Sequence, residues 1–276
     1  MVSGIFSLIG GNQMGHKSRR NVAITRQRSY SQSIVNYVLD EIEEDKKKIG
    51  VLLCEGDENS IDKQVYSAIF PELVIVPLGC CCTIMRILNR VKRTLAASGI
   101  YAFGIIDRDA LSKSEIKKLK RERGVYTTKL PFIENIICTP EVIRYVCEDL
   151  KLDYNEVIEK INEQLMKALW QKLKEALPIN LGIERNERIE SLEIGAHTKN
   201  KNIRKLVDRN NILYAYRSKV IVSIVASEVH ISGRDEYYKK IEQMLSSEKY
   251  HANLVKAMAR YVPNLELYDF DEVLKV

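Results

Sequence analysis

Ile49-Gly-Val-Leu-Leu-Cys-Glu-Gly-Asp-Glu-Asn-Ser60 is the stretch that decides the reading of this chain. A short apolar run ends in an acid and a glycine, and a polar turn then leads into the helical pattern of residues 61–70. Buried strands that deliver a carboxylate to the carboxyl edge of a sheet have this form, and open α/β sheets bind their ligands at that edge. Further on, Tyr101-Ala-Phe-Gly-Ile-Ile106 runs into Asp107-Arg108-Asp109. Successive strand side chains point to opposite faces, so Asp107 and Asp109 share one face where the strand persists that far.

Around these two stretches, strand and helix patterns alternate. Strands are expected over residues 51–54, 73–77, 101–106 and 125–130, with helices over 61–70, 83–97 and 112–123 between them. Strands separated by helices of this length imply right-handed crossovers and a mainly parallel sheet. Gly79, just after the second strand, reads either as a turn residue or as a place where backbone amides face an anion. Upstream, residues 32–47 form an amphipathic pattern with Ile34, Val35, Val38, Leu39 and Ile42 on one stripe. Residues 1–31 are basic, with Lys17, Arg19, Arg20, Arg26 and Arg28, and read as a flexible or partner-bound arm, a solvated tail in preference to a phosphate contact. Met14 leaves a later natural start open.

After Pro131 the pattern turns helical. Residues 140–150 and 153–177 carry the helical period, the second through Val157, Ile158, Ile161, Leu165, Leu169 and Leu173. Residues 180–202 read as a loop or linker, and further helices are expected near 203–209, 218–229, 234–247 and 250–261. The expected fold class is α/β, a small, mostly parallel sheet flanked by helices and followed by a mainly helical C-terminal half. The expected division is an arm (1–31), a metal-binding α/β domain (32–139) and a helical domain (140–276).

The bulk numbers exclude little. Among 276 residues, 45% hydrophobic and 29% charged is ordinary for a soluble globular protein, and a net charge of +6 permits a nucleic-acid partner without requiring one. The six cysteines include the run Cys80-Cys81-Cys82, and no Cys-x-x-Cys pair has a matching partner pair, which argues against structural zinc. Reduced core cysteines in a cytosolic protein are the plain reading. No run reaches the length of a membrane span, and the apolar patch in residues 1–10 lacks a basic lead, so neither membrane nor signal peptide is expected and cytoplasm is the default. The helix over 112–123 carries Lys113, Lys117, Lys120 and Arg121. This is either a solvated charged face or a phosphate-tracking one.

The chemistry follows from Glu55, Asp107 and Asp109 meeting on one rim. Two carboxylates about 4 Å apart repel by roughly 4 kcal/mol at an effective dielectric near 20. Such a cluster either holds a proton or binds a cation. Hard oxygen ligands without histidine favour Mg²⁺ or Mn²⁺, and Mg²⁺ completes its shell with water and substrate phosphates. The expected reaction is phosphoryl transfer or phosphodiester hydrolysis.

These residues resemble a family. Cys54-Glu55-Gly56 closing a strand, Gly79 after the next, and Ile105-Ile106-Asp107-Arg108-Asp109 after the third look like a Toprim domain, the fold of topoisomerases, primases and OLD-type nucleases. Leu130-Pro-Phe-Ile-Glu134-Asn135 is similar to the strand-to-helix acid of OLD-like nucleases and of AriB-like Toprim effectors of PARIS phage-defence systems, which are paired with ABC/AAA-type ATPases. The resemblance covers residues 49–140 well and the rest weakly. It implies Glu55, Asp107 and Asp109 as metal ligands, Glu134 as a further ligand or water-orienting acid, and Lys219 as a stabiliser of charge on phosphate. Many Toprim proteins carry a second acid where this chain has Asn59, with Asp57 and Glu58 as candidate substitutes.

The leading expectation is a metal-dependent nuclease acting on DNA or structured RNA such as tRNA. The chain has no Gly-x-x-x-x-Gly-Lys-[Ser/Thr] loop, so control by NTP would come from a partner ATPase. A homodimer through the helical half is a further expectation. Two alternatives stand beside this. A haloacid-dehalogenase-type phosphatase also places Asp-x-Asp after a strand, but Ala110-Leu111 fits it poorly and it gives Glu55 and Glu134 no role. A degenerate Toprim domain serving as a binding or regulatory subunit is motivated by Asn59.

Overall fold

The computed structural model describes residues 16–108, 111–176 and 218–265. Four parallel strands form one sheet: β1 (Gly50–Cys54), β2 (Leu73–Pro77), β3 (Tyr101–Ile106) and β4 (Val125–Thr127), in the order β2-β1-β3-β4. The crossovers are α2 (Ile61–Ile69), α3 (Cys81–Ala96) and α4 (Lys113–Arg123), with α1 (His16–Glu44) ahead of them. The helical half follows as α5 (Ile133–Ile137), α6 (Pro140–Leu150), α7 (Tyr154–Ala176), α8 (Ser218–Glu228), α9 (Arg234–Leu245) and α10 (His251–Ala259). The α/β expectation holds, with a sheet that is parallel throughout.

Every residue of β1 and β2 is buried. That explains why their sequences are continuous apolar runs and not alternations, because helices cover both faces of a parallel sheet. The period of two then sorts the side chains. Leu52, Cys54, Ile75, Phe103 and Ile105 enter one core with α2 and the helices from α5 to α10, while Val51, Leu53, Val74, Val76 and Ala102 enter the other with α1 and α3. The first core runs without a break from the strands across residue 139 into Val142, Ile161, Val225, Ile241 and Leu254.

Local signals mark the helix ends. Ser60 caps α2 by accepting from the Lys63 amide. Ser112 and Glu115 form a reciprocal capping box on α4, and Gly124, in the left-handed region at φ 63°, ends that helix. Tertiary ties then fix the C-terminal helices. The buried Tyr237 hydroxyl donates to the Ile137 carbonyl at 3.0 Å, and the Lys129 amide donates to the Tyr261 carbonyl at 2.8 Å.

Several boundaries differ from expectation. The helix expected to begin at residue 32 begins at His16, so the described part of the expected arm is helical. No glycine or proline interrupts residues 16–44. Leu39, counted with the apolar stripe, is exposed. The fourth strand stops at Thr127 because the Thr128 hydroxyl turns the chain by donating to the Leu130 carbonyl at 2.7 Å. Residues 1–15, the linker at 180–202 and the helix near 203–209 lie outside the described residues. Among the described residues no helix is long and apolar enough to cross a membrane.

Gly104 on β3 shows how tightly α3 lies on the sheet. A Cβ there would sit 2.9 Å from Ile84 Cγ2 and 3.0 Å from Leu88 Cδ2. We expect Gly104→Val to overpack this contact and lower stability by about 1–3 kcal/mol, read as a fall in the thermal midpoint by circular dichroism.

Candidate acidic rim at the carboxyl edge

Because β1 and β3 are parallel neighbours, the residues that follow them emerge side by side. The Asp107 amide donates to Glu55 Oε1 at 3.0 Å, so one acid is held by the backbone of the other. Gly56, at φ 85°, turns the chain immediately after Glu55 and exchanges two backbone hydrogen bonds with Gly79, at φ 79°. The Gly79 N–H donates to the Gly56 carbonyl at 2.7 Å. That amide hooks two strand ends together and is not directed at an anion, which corrects the anion-facing reading of Gly79.

Gly56 also leaves room for the start of α2. A Cβ there would fall 2.7 Å from Ser60 Cβ and 3.4 Å from Asp62 Oδ2. The first turn of α2 therefore folds back over the end of β1 and sets the Asp62 carboxyl next to Gly56. Asp62 is half-buried. Burial is the main cause that pushes its carboxyl up to about 7, and the charge of Glu134 is the next, with Glu55 and Asp57 adding to it and its own backbone N–H opposing. The phenol of Tyr66, fully buried beneath, is raised first by burial and then by Asp62 and Asp107. Glu55 and Asp107 meet directly just after β1 and β3, while Asp62 of α2 and Glu134 of α5 are linked to this edge through charge; all four are half-buried.

Asp62 is the acid that the sequence reading missed. Attention rested on position 59, whose Asn59 amide caps a turn on Asp57 Oδ1 at 3.0 Å. The available signal was Ser60 as a helix cap: an acid two residues later lies in the first turn, over the end of the preceding strand.

The structure treats the other expected residues differently. Asp109 lies outside the described residues. Lys113, Lys117, Lys120 and Arg121 stand on α4, which packs on β4 and α3 on the sheet face opposite the helical half. Lys113, Lys117 and Arg121 are exposed, Arg121 pairs with Glu122 at 3.1 Å, and Lys120 lies over the Tyr126 ring. Lys219 is exposed in the first turn of α8 and lines a groove to which none of the rim acids contributes. Cys54, Cys138 and Cys147 are buried as expected. Cys80 and Cys82 are exposed because the run opens α3 instead of ending a strand, and the Cys80 thiol is lowered chiefly by the Thr83 hydroxyl.

The oxygen-only donor set fits a hard divalent cation, and a desolvated carboxyl lifted by neighbouring acids is what a cation would relieve. Among the described residues no three His, Cys, Asp or Glu side chains are placed to hold a metal ion. No protein-family model matches the chain, and no curated protein and no solved structure matches it either.

Asp62 carries a stability signature. Its pKa is raised in the fold to about 7 from 3.8. The folded protein therefore binds the extra proton between those values, and stability falls as pH rises through that window. Asp62→Asn mimics the protonated acid. We expect it to raise the thermal midpoint in EDTA at pH 8 by several degrees and by much less at pH 5.

Proposed function

We propose that this chain is a Toprim-type, Mg²⁺- or Mn²⁺-dependent nuclease that hydrolyses phosphodiester bonds in DNA or a structured RNA. The observation that carries this reading is the meeting of Glu55 and Asp107 at adjacent parallel strand ends, with Asp62 and Glu134 beside them. Glu55 and Asp107 would hold the cation together with Asp109, the third ligand that the resemblance implies. The cation supplies polarisation of the phosphate and a lowered pKa for a bound water.

The chain's own groups do the positioning. The Asp107 N–H orients the Glu55 carboxylate, and the Gly56–Gly79 bridge fixes the strand ends against each other. Glu134 reaches the same neighbourhood from α5 and orients the attacking water. The exposed cationic stripe of α4 attracts a polyanion without reading its sequence. Cytoplasmic action under the control of an ABC/AAA-type ATPase partner belongs to the same reading.

A second reading is a partner-binding or regulatory subunit without catalysis. Asn59, an amide where many Toprim proteins carry a second acid, favours it.

Plasmid, linear DNA and total tRNA incubated with Mg²⁺, Mn²⁺ or EDTA separate the two, in the free chain and again with the ATPase partner. Metal-dependent cleavage that falls roughly 100-fold or more in Glu55→Ala and Asp107→Ala supports the nuclease. Silence in every arm, with Glu55→Ala still active in cells, establishes the binding subunit instead.

A further inference from the structure

Away from the rim, α8 packs against α7, α9 and α5 and leaves an open groove of about 520 Å³ along its outer face. Lys219, Ser223 and Ser227 recur every four residues, so they share that face, and all three are exposed. Gln164 of α7 and Arg234 at the start of α9 complete the polar lining, over Val220 and Ile224. Glu228 is the acid among these residues. Lys160 of α7 is raised first by its Glu156 partner, with Glu228 adding to it.

The helices of the groove pack on helices that carry rim acids. Helix α8 packs on α5, which carries Glu134, and α9 packs on α2, which carries Asp62. Tyr238, one turn beyond Arg234, is raised chiefly by burial and next by Glu134, with Arg234 opposing.

We propose that this groove is a track for the phosphate backbone of a single-stranded nucleic-acid segment, held between Arg234 and Lys219 as it leaves the acidic rim. The proposal rests on the nuclease reading and adds the path of the substrate. Lys219 stands at the start of α8 and Arg234 at the start of α9, so the two cations of the lining come from different helices. Separate cations along an open groove match a run of successive phosphates better than one compact ligand does. Small-molecule sites are enclosed and mostly apolar, whereas this groove is open along its length. The Ser223 hydroxyl donates to the Lys219 carbonyl at 2.8 Å, so Ser227 and the Gln164 amide are the neutral donors to phosphate oxygens. Among the described residues the lining offers cations and neutral donors, groups that contact the phosphate backbone and position a strand.

The test is fluorescence anisotropy of short labelled single-stranded DNA and RNA, in EDTA, with increasing salt. Lys219→Ala with Arg234→Ala is expected to weaken binding about tenfold or more and to reduce the salt slope by about two. The charge-conserving pair Lys219→Arg and Arg234→Lys should bind nearly as wild type does. Three results overturn the track: no binding by the wild-type chain, an alanine pair that binds like it, or a charge-conserving pair that loses as much as the alanine pair. Metal-dependent cleavage with unaltered binding in the alanine pair removes the track alone. Groove-dependent binding with no cleavage in any metal removes the nuclease reading and leaves the track.

Discussion

The structure depends on the parallel alignment of β1 and β3, expressed in the hydrogen bond from the Asp107 amide to the Glu55 carboxylate. Parallel strands end on the same edge, so acids that follow two neighbouring strands are forced into proximity whatever their charges prefer. Two features make that proximity tolerable. A backbone N–H offsets part of the charge on Glu55, and the Asp62 carboxyl holds its proton up to near neutrality. Glycine is required at Gly56 because the chain turns there at positive φ against the first turn of α2.

The two faces of the sheet do different work. On one, α1 and α3 close directly over Val51, Leu53 and Val76, and Gly104 lets α3 approach to van der Waals contact. On the other, a single apolar core passes through α2 and α5 into the helical half. Glu134 is therefore positioned by packing from both parts. Its short helix α5 is tied through the Ile137 carbonyl to Tyr237 of α9, and α8 packs against it. A groove on α8 and a rim on the sheet edge are in this way mechanically connected.

Charge is distributed to match. The carboxyl edge collects acids, while cations gather on α4 and along the α8 groove, on opposite sides of the sheet. A polyanion approaching this molecule would be repelled by the rim itself unless a cation were bound there. Any long-range attraction for one would come from the lysines and arginines of α4 and the α8 groove.

Much was legible in the residues themselves. The apolar runs at 51–54, 73–77 and 101–106, the helices between them and the order of Glu55, Asp107 and Glu134 follow from short-range rules of period, capping and strand length, which act within a few residues. The long helices of the C-terminal half were visible for the same reason. What tertiary structure decided are the encounters between distant positions. Asp62 becomes part of the rim because α2 folds back over Gly56. Gly79 gives its amide to Gly56, and Lys219 lines a groove apart from the rim acids. The start of α1 at His16 lay between, since a long polar helix without a breaker differs little in sequence from a solvated tail. Local sequence sets which segments are strands and helices, because those preferences are local. Which carboxyl loses its water, and which cation stands near which acid, depends on how the elements pack, and no window of sequence contains that information.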